Sequence, residues 1–210
     1  MKCVFSIALI MIIAGGCAGT GIPDVVIMER TGNFVRVDPD PTARTTRNAH
    51  PVSIPPDRLR TLLASIEIKS PEGPFFAEED EGRLFDPDEL AFLVPAVSKA
   101  LAKAKPTDWV VFYLHQSGRL LRPDVTTGAV AVREGLVSFT LGHYRRTDVV
   151  GSEEENRDSF LENELRADPM FGIHDVGVRI SVGAGQRWRP GDTPRTILFP
   201  LAPRSSSGKS

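Results

Sequence analysis

The sequence predicts an α+β domain, in which a mostly antiparallel sheet of about five strands carries two or three packed helices. Three observations indicate this class. Residues 85–104 have the cap and the apolar periodicity of a helix, and residues 108–115 form an unbroken apolar run of strand length. Residues 127–144 alternate in polarity around a turn at Glu134 and Gly135, which is typical of a hairpin.

The part that precedes these elements is more polar. Residues 25–37 are expected to form two short strands around Gly32 and Asn33. Residues 38–51 are rich in Pro, Thr and Arg and have no apolar face, so they are expected to be a linker or a surface loop. Residues 17–53 are therefore predicted to be an N-terminal hairpin and linker, followed by one globular domain over residues 54–202.

The domain is predicted to begin with a short helix near Pro56, whose leucines at 59, 62 and 63 share one face. Ile66 and Ile68 then alternate with charged residues, which favours a short strand. Residues 70–85 are expected to be mostly loop.

The clearest helix covers residues 85–104. Asp86 is suited to the N-cap position, Pro87 to the first helical position and Glu89 to the third, which is the pattern of a capping box. The apolar residues that follow have the spacing of a buried stripe, and Pro95 lies inside it.

The remaining elements are expected from shorter signals. Residues 108–115 are predicted to be a central strand that is covered on both faces. The others are an acidic helix over residues 152–169, strands over 176–182 and 196–200, and a disordered tail over 203–210.

The composition excludes some classes of partner. The chain has 210 residues, a formal net charge of −2 and a pI of about 6.1. This balance has no basic excess, so it does not favour binding to nucleic acid. No apolar segment beyond the N-terminal one is long enough to span a bilayer.

The first sixteen residues are predicted to be a signal peptide. Lys2 supplies a positive charge, residues 4–13 are apolar or small except for Ser6, and Ala14-Gly15-Gly16 precedes Cys17. Ala14 and Gly16 also fit the small-residue rule of the general signal peptidase, so ordinary secretion is the alternative.

Residues 13–17, Ile-Ala-Gly-Gly-Cys, resemble the lipobox of bacterial lipoprotein precursors, although that family most often has Leu where this chain has Ala14. The resemblance covers the leader alone. It implies that Cys17 carries a diacylglyceryl group and, after cleavage, a further acyl chain such as palmitate. Two or three chains hold a protein on a membrane far more firmly than one. Because Ala18 follows in place of the aspartate that retains enteric lipoproteins at the inner membrane, the outer membrane, on its periplasmic side, is the expected location.

Cysteine usage agrees with this interpretation. Cys3 lies in the predicted leader, so the mature chain would have Cys17 as its single cysteine and no internal disulfide. Acylation would also remove a free thiol from an oxidising compartment.

No motif in the sequence indicates a catalytic centre, a metal site or a cofactor. The histidines at 50, 115, 143 and 174 lack the spacing of metal ligands, although His115 and His143 would approach each other if their strands paired. The cluster of Asp86, Asp88 and Glu89 is explained by the helix cap, and Gly183-Ala184-Gly185 lacks the third glycine of a nucleotide loop.

Trp188 lies between Arg187 and Arg189, and both residue types are common anchors of protein interfaces. The alternative is that Trp188 closes the edge of the core with an arginine stacked over it.

The leading hypothesis is therefore a lipid-anchored envelope protein whose domain binds another protein. A module that binds a small ligand or a glycan is the alternative, and an enzyme with a site built from scattered residues is a third. A pocket joining His115 and His143 to a carboxylate would favour the enzyme, and an exposed apolar patch near Trp188 would favour the interaction protein.

Overall fold

The computed structural model describes residues 25–69, 81–117, 123–147, 163–170, 178–190 and 195–201. The helices and strands in these ranges are, in chain order, β1 (Val25–Arg30), β2 (Asn33–Pro39), α1 (Pro56–Ala64), β3 (Glu67–Lys69), β4 (Glu81–Arg83), α2 (Pro87–Leu101), β5 (Asp108–Ser117), β6 (Pro123–Arg133), β7 (Leu136–Thr147), β8 (Arg179–Ser181), β9 (Arg187–Trp188) and β10 (Thr196–Pro200). Residues 163–167 form a further helical segment.

The strands form two antiparallel sheets. The larger sheet has seven strands in the order β1-β2-β5-β6-β7-β10-β9, and the smaller has three in the order β4-β3-β8. The predicted α+β class with a large antiparallel sheet is confirmed. The count of about five strands was low, because the β1–β2 hairpin and the two-residue β9 extend the large sheet at its two ends.

One face of the large sheet carries the helices. Helix α2 packs on β2 and β5, and α1 packs on α2. At the centre of this core, Phe85 meets Phe112 and Phe139 edge to face, with ring centroids 5.7 and 5.8 Å apart. Ile68 and Ile180 of the small sheet belong to the same cluster of buried residues, so the two sheets and the two helices share one core.

The opposite face, which we call the outer face, carries a row of side chains from Arg36 across Val111, Ala129 and Thr140 to Thr196. Residues 163–170 cover one end of it. There the Phe34 ring stacks on Tyr113 with ring centroids 5.2 Å apart, and Leu165 belongs to the same cluster of buried residues. Because Val110 and Val111 face opposite sides and both are buried, the prediction of a central strand at 108–115 is confirmed.

Local capping determines where α2 begins. The backbone N–H of Glu89 donates to Asp86 Oδ1 at 2.8 Å, and the Asp86 N–H donates to Glu89 Oε2 at 2.8 Å. This is the predicted capping box, and Pro87 and Pro95 both lie within the helix.

The N-terminal hairpin belongs to the large sheet. Its turn contains Thr31 and Gly32, and β2 pairs with β5 from Phe34 to Pro39. Phe34 and Val35 are buried, so the pairing places apolar side chains on both faces of the sheet. The sequence had placed this hairpin before the globular domain rather than inside it.

Several predictions fall on residues outside the described ranges. These are the leader with Cys17, most of the loop at 70–85, residues 152–162 of the acidic helix and the tail at 203–210. The strand expected over 176–182 is confirmed for residues 179–181 as β8, and the strand expected over 196–200 is confirmed as β10. In the ranges that are described, no helix combines the length and the apolar character that crossing a bilayer requires.

Candidate functional site

Trp188 is the most prominent exposed aromatic side chain of the described surface. It lies on β9, where Trp188 pairs with Ile197 and Arg187 pairs with Leu198. The side chain is 52% exposed, and its indole Nε1–H donates to the carbonyl oxygen of Ile180 at 3.3 Å. Val182, in the connection from β8 to β9, is 41% exposed. The indole is therefore tethered at one edge while much of its apolar surface remains in contact with water.

The glycine-rich segment before Trp188 forms a tight turn. The Gly183 N–H donates to Gln186 Oε1 at 2.8 Å, and the Gln186 N–H donates back to the Gly183 carbonyl at 3.1 Å. Gly185 has φ +80°, a conformation that glycine adopts without steric cost. The Gln186 side-chain amide also donates to the carbonyl and to Oγ of Ser65, so the turn is fixed to the end of α1.

The strand separates Trp188 from its two arginine neighbours. Successive side chains of a strand point to opposite faces. Arg187 pairs with Leu198 and lies on the outer face of the large sheet, and Arg189 lies on the same side. Trp188 projects to the other side, toward β8. The three residues that the sequence singled out are therefore adjacent but belong to two surfaces of one sheet edge.

A cleft of about 290 Å³ opens on the Arg187 side. Its apolar walls are Leu136, Leu198 and Pro200, and the turn at Gly185 and Gln186 completes it together with Arg187. Arg58 of α1 donates to the carbonyl oxygens of Pro200 and Leu201, at 2.9 and 3.4 Å, which holds this end of β10. Arg187 thus lines a small cleft that is otherwise formed by three apolar side chains and a tight turn.

A larger cleft of about 640 Å³ lies between the β1–β2 turn and the start of α2. It is lined by Arg30, Thr31, Asn33, Asp86, Asp88, Glu89, Ala91 and Phe92. Three of its polar side chains already form hydrogen bonds that stabilise the fold. Asp86 and Glu89 cap α2, and Asn33 Oδ1 accepts the His115 backbone N–H at 2.6 Å. These hydrogen bonds account for Asp86 and Glu89 in the way the sequence suggested, and Asp88 lies in the first turn of α2, where a negative charge is favourable.

The histidines are not brought together as a site in the described residues. Strand β6 lies between the strands of His115 and His143, with His115 opposite Val125 and His143 opposite Thr127. His143 is only 1% exposed. No group of three His, Cys, Asp or Glu side chains in the described ranges is placed to hold a metal ion. His174 lies outside these ranges.

His50 is buried at the end of β6. Its Nε2 accepts the Val132 backbone N–H at 3.0 Å, which requires the neutral ring. Burial lowers the pKa of His50 below its usual value, although the negative charges of Asp108 and Asp40 act in the opposite direction.

A polar network at residues 40–48 was not anticipated from the sequence. Asp40 Oδ2 accepts hydrogen bonds from Asn48 at 2.9 Å and from Arg133 at 2.6 Å, and Asp40 Oδ1 accepts the Thr42 N–H at 2.7 Å. Burial alone would raise the pKa of Asp40, but the hydrogen bonds and the charge of Arg133 outweigh it and lower that pKa. The sequence Asp40-Pro41-Thr42 is typical of such an Asx turn and was the one available signal.

Comparison with known proteins adds no family to this description. No protein-family model, no curated protein sequence and no solved structure matches the chain.

Proposed function

We propose that this protein is a lipid-anchored lipoprotein of the bacterial cell envelope whose α+β domain binds another protein through the sheet edge at Trp188. The leader pattern that ends at Cys17 supports the anchor, and Ala18 after the cysteine supports the outer membrane, facing the periplasm. The interaction role is supported by the exposed surface at the β8–β9 connection.

The observation that carries the interaction role is the exposure of Trp188 and Val182. Among the described residues, the large apolar side chains that are exposed are these two and Val26. Two of the three, Val182 and Trp188, therefore lie in the short stretch of chain that runs from the end of β8 to β9. Tryptophan is enriched among residues that dominate interface energetics, because it buries a large area with few rotatable bonds.

The tethered indole also suits recognition. The hydrogen bond to Ile180 and the fixed turn at Gly183–Gln186 hold β9 in place before a partner arrives. A side chain that is already ordered loses less conformational entropy on binding. Trp188 is therefore expected to act as an anchor residue.

The anchor is tested by fractionation of cells that express the wild type, Cys17→Ser or Cys3→Ser. We expect the wild type and Cys3→Ser in the membrane fraction and Cys17→Ser outside it. Mass spectrometry of the mature N-terminus should detect acyl chains on Cys17. A Cys17→Ser protein that fractionates like the wild type would show that residues 1–17 are not a lipoprotein leader.

The interaction is tested by cross-linking in cells and purification from detergent-solubilised membranes. Trp188→Ala should lose a stoichiometric partner that the wild type retains. Val26→Ala is the matched control, because Val26 is equally exposed but lies on β1 at the other end of the sheet. Equal partner recovery by Trp188→Ala and the wild type would remove Trp188 from the proposed interface.

A further inference from the structure

We infer that the β9 edge recognises an extended acidic segment of the partner, in which an aliphatic side chain enters the cleft beside Arg187 and a carboxylate lies two residues further along. This inference rests on the proposed function, since it specifies the partner of that same edge. It concerns the outer-face side of β9, whereas Trp188 contacts the partner from the other side.

The aliphatic part of the proposal comes from the cleft walls. Leu136, Leu198 and Pro200 are each half-buried and present apolar surface. At about 290 Å³ the cleft is at the lower end of the roughly 300–1,000 Å³ of small-molecule sites. A single aliphatic side chain suits this volume better than a whole ligand does.

The acidic part comes from two arginines that have no charged or hydrogen-bonding partner among the residues that the structure describes. Within the described ranges, the side chains of Arg187 and Arg189 take part in no ion pair and no hydrogen bond. Both face the outer side of the sheet: Arg187 lies on β9 beside the cleft, and Arg189 follows directly after β9. Residues two apart in a strand lie on the same face, about 6.8 Å apart at the usual rise per residue. An extended segment with the same period would place its carboxylate near Arg189 or Arg187 while its aliphatic side chain fills the cleft.

The backbone geometry indicates that side chains, rather than a long strand ladder, supply the specificity. The Arg189 N–H donates to the Thr196 carbonyl, so in this antiparallel pairing the N–H and C=O of Trp188 point away from β10, toward the free edge. No described strand pairs with that edge. Pro190 follows and lacks an N–H, so Trp188 is the one residue of this edge from Arg187 to Pro190 that offers both an N–H and a C=O.

The test uses the detergent-solubilised full-length chain and fluorescein-labelled serine–threonine peptides. Each peptide carries one leucine and, two residues further on, glutamate, glutamine or lysine. We expect the glutamate peptide to bind about fivefold more tightly than the glutamine peptide, which corresponds to an exposed ion pair of about 1 kcal/mol. Replacing the leucine with alanine should weaken binding by about tenfold.

Arg187→Glu should weaken binding of the glutamate peptide by about tenfold and strengthen binding of the lysine peptide. Arg179→Glu is the matched control, because Arg179 is an exposed arginine of β8 that also has no ion pair or hydrogen bond within the described ranges. It makes the same change of charge on the small sheet. Its affinity for the peptides should equal that of the wild type.

Three outcomes of the peptide measurements would overturn the inference. These are equal binding of the glutamate and lysine peptides, equal losses in Arg187→Glu and Arg179→Glu, and no binding of any peptide below about 1 mM. Tighter, Arg187-dependent binding of phosphatidylglycerol micelles than of any peptide would assign the surface to a lipid headgroup and would also overturn it. Partner capture that depends on Trp188 without any peptide preference would leave the proposed function standing and overturn this inference alone. Absence of both a captured partner and peptide binding would remove the proposed function together with the inference.

Discussion

Gly128 in β6 has no room for a side chain. It pairs with Phe112 of β5 and with Leu141 of β7. A Cβ atom at Gly128 would lie 2.6 Å from the Thr140 carbonyl oxygen and 2.7 Å from Cζ of Phe112. Carbon atoms do not approach so closely without repulsion, so Gly128→Ala requires the ring or the strand to move.

The surroundings make that movement costly. Phe112 is 1% exposed, and its ring centroid lies 5.7 Å from that of Phe85 and 6.0 Å from that of Phe139. The carbonyl is part of the backbone of β7 and cannot rotate away. We therefore expect Gly128→Ala to lie in the upper part of the overpacking range, about 2–3 kcal/mol. For a domain of this length, this lowers Tm by about 4–12 °C.

Urea denaturation monitored by circular dichroism measures this loss. Gly82→Ala is the matched control, because Gly82 also lies in a strand but has no atom within 4 Å of its Cβ position. It should change stability by less than about 0.5 kcal/mol. If Gly128→Ala were as stable as Gly82→Ala, the close packing of Phe112 on Gly128 would be refuted. In the double variant with Phe112→Leu, the loss should be smaller than the sum of the two single losses.

Asp86→Ala removes the acceptor of the capping box and should lower the free energy of unfolding by about 1 kcal/mol, measured by urea denaturation; an unchanged midpoint would contradict the role of the cap. Because burial lowers the pKa of His50 in the folded state, the unfolded chain binds this proton first, so stability should be complete above about pH 6.5 and fall as the pH decreases toward the folded pKa. His50→Gln should flatten that dependence in melting curves between about pH 7.5 and about pH 5. The pKa of Asp40 is also lowered by folding, so its contribution is present above about pH 3.9 and is lost as the pH falls through the folded pKa. Asp40→Asn should cost about 2 kcal/mol at neutral pH, and stability curves of the two proteins that do not converge in acid would contradict the assignment.

The elements that were predicted correctly are those whose signals are local. The capping box of α2 needs only residues 86–89, and the β6–β7 turn needs only Glu134 and Gly135, both of which have positive φ. The apolar run at 108–115 likewise predicts that both faces of β5 are buried, and this prediction needs no information about the neighbouring strands. Such patterns can be recognised in the sequence because the residues that stabilise each element are close to one another along the chain.

The segment at 38–51, which was expected to be a linker or a surface loop, shows what local reasoning misses. Its composition resembles that of a linker because it has no apolar face. In the structure, Asp40 and Asn48 are buried and bond to Arg133, which is more than eighty residues away in sequence. Buried polar groups are stabilised by partners that only the tertiary fold brings near.

The candidate site also has features that the sequence predicts and features that only the tertiary structure shows. The sequence by itself determined which residues are suited to an interface, the tryptophan at 188 and the arginines beside it, and it predicted a leader that ends at Cys17. Only the tertiary structure decided that β9 is the last strand of the large sheet and that Trp188 and Arg187 lie on opposite faces of it. It also decided that Leu136 and Leu198 form a cleft beside Arg187. The physical reason is that residue type is a property of one position, whereas exposure and pocket shape depend on strand order and on long-range pairing.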